Sequence, residues 1–185
     1  MNELIWLLLL AVTFLAFLLC YRLYGKAGLF AWTALSVILA NIQVTKTIEI
    51  FGFTATLGNI IYATSFLVTD LLSEVYGKKE AKKAVALGFF SIIVMAVIMN
   101  IVLMFKPAPT DFAQGALTTI FSVMPRISLA SLAAYGISQV HDVWSYNFWK
   151  GRYPGRKFLW LRNNASTMVS QILDTGVFVT LAFWG

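Results

Sequence analysis

The tetrad Ser-Gln-x-x-Asp occurs twice inside apolar stretches, as Ser138-Gln139-Val140-His141-Asp142 and as Ser170-Gln171-Ile172-Leu173-Asp174. A carboxylate within hydrocarbon costs about 2.5 to 3.5 kcal/mol on insertion scales, so such a residue faces a partner or a watery cavity and marks a substrate or ion pathway. A carboxylate only accepts hydrogen bonds, whereas the glutamine preceding it by one helical turn can donate and accept. A third carboxylate, Asp70, lies on the same helical face as Asn59, about three turns further along.

At about 100° per residue, Ser128, Ser131, Tyr135, Gln139 and Asp142 share a stripe narrower than about a third of the helix circumference. Asn164, Thr167, Gln171 and Asp174 share one face of the last apolar run, with Ser170 at its edge. Stripes of this kind turn toward other helices or toward water. Asp70 precedes Lys78, and Asp142 precedes Lys150, by eight residues. At ~1.5 Å per residue each carboxylate therefore lies ~12 Å from a basic marker, and Asp174 nearer the midplane. Three carboxylates from three helices are expected in one half of the bundle. Asn41, Gln43 and Asn59 fall in the other half, with Arg126 at the mouth of the fifth run.

Each residue type also has a structural use. Ser128, Ser131, Thr167 and Ser170 suit tight helix packing, Asn59, Gln139 and Gln171 suit interhelical hydrogen bonds, and Asp70 could pair with a lysine. His141 points away from the Asp142 stripe, and with no second histidine a zinc or haem site is not expected. Cys20, the sole cysteine, excludes an intrachain disulfide and reads as a small apolar residue. The sequence holds no G-x-x-x-x-G-K-[ST] loop, no G-x-S-x-G elbow and no Ser-His-Asp or Cys-His set. An enzyme is not expected, nor any metal or cofactor. A transport protein fits better.

The elements that must position these residues are membrane helices. Hydrophobic residues make up 59% of the 185, and charged residues 12%. Six apolar runs approach the ~20 residues a helix needs to cross hydrocarbon: about Leu4–Leu23, Leu29–Val44, Thr54–Leu72, Ala84–Phe105, Ile127–Trp149 and Ala165–Trp184. The fold class expected is an all-α, polytopic bundle of six transmembrane helices, one domain over 1–185. The first run lacks a basic leader and is too long for a cleaved signal, so it reads as a retained anchor.

The net charge of +6 resides mainly in three loops: Arg22 and Lys26, then Lys78, Lys79, Lys82 and Lys83, then Lys150, Arg152, Arg156, Lys157 and Arg162. All three fall on one side of a six-span bundle, which by the positive-inside rule is cytoplasmic, with the N-terminus outside. The basic excess is thus a topology signal. The expected partner is the lipid bilayer, not nucleic acid.

Tyr62-Ala63-Thr64-Ser65-Phe66-Leu67-Val68-Thr69-Asp70-Leu71-Leu72-Ser73-Glu74-Val75-Tyr76-Gly77-Lys78-Lys79-Glu80-Ala81 resembles the third-span signature of the queuosine precursor transporter family, also called the vitamin uptake transporter family. So do Arg126 to Ser131 through Ser138-Gln139 and Asp142-Val143, and Asn164 to Thr167 through Ser170-Gln171 and Asp174-Thr175. The likeness runs from about Ala40 to Trp184. It implies a multi-pass importer of the bacterial or archaeal inner membrane, related in architecture to the substrate-binding components of energy-coupling-factor importers, whose substrates are deazaguanine bases such as queuine.

A guanine-like base offers a ring N–H and an exocyclic amine to one carboxylate, and a carbonyl to an amide or arginine. Its flat face suits Tyr62 or Tyr135. On that basis the substrate-binding residues are expected to be Asn59, Asp70, Arg126, Tyr135, Gln139, Asp142, Asn164, Gln171 and Asp174. Uptake would be facilitated or proton-coupled. The alternative is a passive binding subunit of an energised importer, presenting Ala130, Ala133, Ala134 and Gly136 to a partner helix. Members of the family usually carry a further helix after the segment matching Leu181-Ala182-Phe183-Trp184. By that pattern the chain is expected to lack the last helix, with a homo-oligomer or a helix from another chain completing the domain.

Overall fold

The computed structural model describes residues 2–122 and 124–183, and their side chains outside 122–128 and 183. Its elements are α1 (Asn2–Gln43), β1 (Thr47–Ile50), β2 (Phe53–Thr56), α2 (Asn59–Val75), α3 (Lys78–Leu103), α4 (Gln114–Ser122), α5 (Met124–Arg152), a 3-10 turn (Arg156–Phe158) and α6 (Leu159–Phe183). The architecture is all-α apart from one small β hairpin.

Helix α1 is two antiparallel arms folded at Gly25, whose φ of 56° and ψ of −130° lie outside helical space. In a straight helix Phe17 and Trp32 would be about 22 Å apart. Their ring centroids are 5.8 Å apart. The arms meet closely where a Cβ on Gly28 would lie 2.4 Å from the Cys20 carbonyl oxygen. The Cys20 thiol donates to the Gly28 carbonyl across the same contact, at 3.4 Å. The first two predicted spans correspond to these arms.

The third predicted run differs at its start. Phe53–Thr56, expected to open a helix at Thr54, pairs antiparallel with Thr47–Ile50 in the register Thr47 to Thr56 and Ile50 to Phe53. Phe51 and Gly52 connect the strands with positive φ angles of 49° and 78°, the backbone a tight two-residue hairpin requires. β-branched Thr and Ile supply the strand preference, and α2 begins only at Asn59, after Gly58 at φ 104°. Polar residues lengthen other helices beyond their apolar runs. Helix α3 starts at Lys78, and α6 starts at Leu159. The connection before α5 contains α4, which the runs did not reveal. Its entry is fixed by Asp111, whose Oδ1 accepts from the Ala113 and Gln114 amides at 2.6 and 2.9 Å.

Among the described residues, α1, α3 and the segment 156–182 are long and apolar enough to cross a membrane. The 42 residues of α1 are divided between its two arms. Helix α2 has 17 residues, and α5 carries the polar stripe. The core lies where the second arm of α1, α2, α3 and α5 meet around Leu29, Val37, Val68, Leu72, Ile92 and Tyr135. Leu8, Leu15, Phe90, Val97 and Ile172 point outward, as they would toward lipid.

Candidate functional site

A cavity of about 400 Å³ lies near the β hairpin, between α1, α2, α5 and α6. That is within the ordinary size range for a small-molecule site. Helix α2 brings Asn59 from its first residue and Tyr62 one turn later. Helix α6 brings Gln171, Asp174 and Phe178, α5 brings Ser131 and Tyr135, and α1 adds Asn41. Asp174 Oδ1 accepts from the Tyr62 hydroxyl at 2.6 Å and from Ser138 Oγ at 2.9 Å. Oδ2 takes part in neither bond, so this carboxylate keeps an acceptor for a ligand.

Tyr135 is 1% exposed, and its hydroxyl has no partner among the described residues. Its ring is 6.3 Å from Tyr62 and 5.2 Å from Phe89, centroid to centroid. Gly88 makes room for it, because a Cβ there would lie 2.1 Å from the hydroxyl. The cavity therefore combines a carboxylate, amides, two tyrosine rings and a free hydroxyl.

A separate polar layer lies on the other side of Ser138. Gln139 donates to Ser65 Oγ at 2.9 Å, and Thr69 Oγ1 lies 3.3 Å from Gln139 Oε1 and 3.2 Å from Asp142 Oδ2. Asp70 Oδ2 accepts from Asn163 Nδ2 and, at 3.3 Å, from Thr167 Oγ1. The Asp70 and Asp142 carboxyls are neighbours in this layer, since Thr69, the residue before Asp70 on α2, bonds Asp142 Oδ2. His141 Nδ1 is 3.0 Å from Ser170 Oγ.

Beyond this layer, at the C-terminal end of α2, a charged staple closes the bundle. Arg162 is fully buried. Its Nη2 pairs with Glu74 at 2.9 Å while Nη1 donates to the Tyr153 and Gly155 carbonyls at 2.7 and 3.2 Å. The Tyr146 hydroxyl donates to the same Glu74 oxygen at 3.0 Å. Lys150 Nζ donates to the Ser73 and Glu74 carbonyls at 2.8 and 2.9 Å, neutralising the negative end of α2. At the surface nearby, Glu80 binds Lys26 at 2.6 Å and Lys83 at 2.7 Å. Those hydrogen bonds pull its carboxyl down to about 2.

Of the residues expected from sequence, Asn59, Tyr135, Gln171 and Asp174 line the cavity. Asp70, Gln139 and Asp142 lie in the polar layer and not on the cavity wall, so the three carboxylates form two groups instead of one. Asn164 is exposed and donates to the Trp160 carbonyl of its own helix at 2.7 Å. Its neighbour Asn163 faces inward. The signal was present: at 100° per residue Asn163, Thr167, Ser170 and Asp174 make a tighter stripe than Asn164, Thr167, Gln171 and Asp174. The side chains of Arg126 and Ser128 lie outside the described residues. Sequence reasoning missed the Tyr62 and Ser138 hydroxyls as partners of Asp174, and Asn41 in the cavity wall. It also read Arg162 and Lys150 as loop charges. The small residues Ala130 and Ala134, expected on a partner surface, are buried within the chain, and Gly136 abuts Phe89.

Apolar helices around a cavity with several polar side chains in its wall point to a membrane protein. Residues 56–185 match the family model described as "Putative vitamin uptake transporter", and the chain belongs to that family, one of transporters and not of enzymes. It is 46% identical over its whole length to a "Probable queuosine precursor transporter" of Bacillus subtilis (strain 168), covering 80% of that protein. It is 30% identical over 148 residues to a "Queuosine precursor transporter" of Escherichia coli (strain K12), across 78% of this chain and 62% of that one. A third relative, a "Probable queuosine precursor transporter" of Haemophilus influenzae, is 27% identical over 72% of this chain and 54% of its own. No solved structure matches the chain.

Proposed function

We propose that the protein imports queuosine precursors, deazaguanine bases such as queuine, across the inner membrane by facilitated or proton-coupled uptake. The observation that carries this reading is Asp174, which lines the cavity and is held by Tyr62 and Ser138 through Oδ1, leaving Oδ2 outside both bonds. That oxygen accepts the ring N–H and exocyclic amine of the base. Asn59 or Gln171 donates to the base carbonyl, and Tyr62 and Tyr135 flank its flat face.

The membrane path is a six-span bundle with the N-terminus outside and the basic loops in the cytoplasm. In support, the three basic segments meet at one end of the molecule, where Lys26 and Lys83 share Glu80 and Lys150 reaches the end of α2. The opposite end carries the β hairpin, where Asn2 donates to the Glu49 carbonyl at 2.8 Å. The base thus enters from the hairpin side, and the polar layer and the Arg162 staple close the cytoplasmic side.

Uptake of labelled queuine by cells producing Asp174→Asn tests this. An amide in place of the carboxylate presents a donor to the donor edge of the base, so uptake should fall to background with membrane insertion unchanged. Wild-type uptake by the variant would sink the assignment.

A further inference from the structure

We propose that the neighbouring carboxyls of Asp70 and Asp142 form a binding site for one monovalent cation, a proton or Na⁺, separate from the base cavity. Asp70 is 3% exposed and Asp142 is fully buried, and Oδ1 of each has no partner among the described residues. Two anionic groups side by side in an apolar interior repel strongly.

Among the described residues, nothing packed against them supplies the missing positive charge. Every hydrogen bond to the other oxygens comes from a neutral group: Thr69 on α2, and Asn163 and Thr167 on α6. The nearby cationic groups are engaged elsewhere. Arg162 is bound to Glu74 and two carbonyls, Lys150 to the end of α2, and the His141 ring to Ser170. Tyr146 is held by Glu74, and Asp174 by Tyr62 and Ser138.

A cation between the two Oδ1 atoms removes the repulsion, and the surrounding hydroxyls and amide stabilise the single negative charge that remains. Oxygen-only ligands suit a proton or an alkali cation and not a soft metal. The layer joins the cavity through adjacent residues of α5, since Ser138 holds Asp174 while Gln139 holds Thr69 and Ser65. Occupancy at one site can therefore bias the other. This coupling role rests on the importer reading above, whereas cation binding itself does not.

The test uses the purified full chain without base. Equilibrium binding of ²²Na⁺ reads a metal cation, and the infrared C=O stretch of a protonated carboxyl, identified by its isotope shift in deuterated water, reads a proton. Wild type should show stoichiometric ²²Na⁺ or the carboxyl band. Asp70→Asn and Asp142→Asn, in which an amide donates to the remaining carboxylate, should each reduce that signal to background. Asp174→Asn should retain it. Labelled queuine binding, measured in parallel, should survive in Asp70→Asn and Asp142→Asn and be lost in Asp174→Asn. Neither signal in wild type, or a signal that persists in both dyad variants, overturns the proposal. Failure of wild type to bind queuine overturns the importer reading and leaves the cation readout standing.

Discussion

Replacing Arg162 with alanine removes a guanidinium that satisfies three acceptors at the end of α2: the Glu74 carboxylate and the Tyr153 and Gly155 carbonyls. Arg162 is fully buried, and the Glu74 side chain is 27% exposed, so water replaces little of what is lost. Removing one partner of such a pair costs about 3 to 5 kcal/mol, with Lys150 Nζ, 3.5 Å from the same carboxylate, left to offset part of the charge. At about 2 to 4 °C per kcal/mol for a chain of this size, the unfolding midpoint in detergent should fall by about 6 to 20 °C. Arg162→Lys keeps a charge but not the planar fork, and should recover only part of the loss. Arg156→Ala, an exposed position in the same loop, is the control and should stay within about 2 °C of wild type. If Arg162→Ala matched that control, Arg162 would be a solvated loop charge and the staple would be wrong.

Gly88→Ala places a methyl group where Tyr135 Oη stands, 2.1 Å from the ideal Cβ position. Overpacking of this kind costs about 1 to 3 kcal/mol, and moving the tyrosine into the cavity should weaken queuine binding by about tenfold in a direct binding assay; unchanged binding and midpoint would show that the ring has slack. Glu80→Gln should loosen the contact between α1 and α3 in a pH-dependent way. Because the lysines hold the Glu80 carboxyl at about 2, below its ordinary 4.5, its contribution is present above about pH 4.5 and is lost as pH falls toward 2. The difference in midpoint between wild type and variant should therefore shrink on acidification, and a difference that grew instead would refute the sign.

The division between cavity and polar layer gives the buried carboxylates distinct work. Asp174 lines the cavity. Asp70 and Asp142 are neighbours out of its reach. Ser138 and Gln139, consecutive on α5, bond to opposite sides of that boundary. A rotation of α5 would act on both groups at once.

The amino-acid sequence by itself determined the helices and their inward faces. In hydrocarbon every backbone group must be satisfied within its own helix, so long apolar runs form helices, apart from the start of the third run, where Phe53–Thr56 pairs with Thr47–Ile50. The period of 3.6 residues then fixes which side chains share a face, and Asn59, Tyr135, Gln171 and Asp174 were legible that way. Only the tertiary structure decided what those faces meet. Periodicity sets angles within a helix but not its rotation against its neighbours, so the bonds from Tyr62 and Ser138 to Asp174 had no one-dimensional signature. The burial of Arg162 was hidden for a related reason. A basic residue beside other loop charges reads as solvated until the end of α2, with Glu74 and two carbonyls needing a donor, is brought against it.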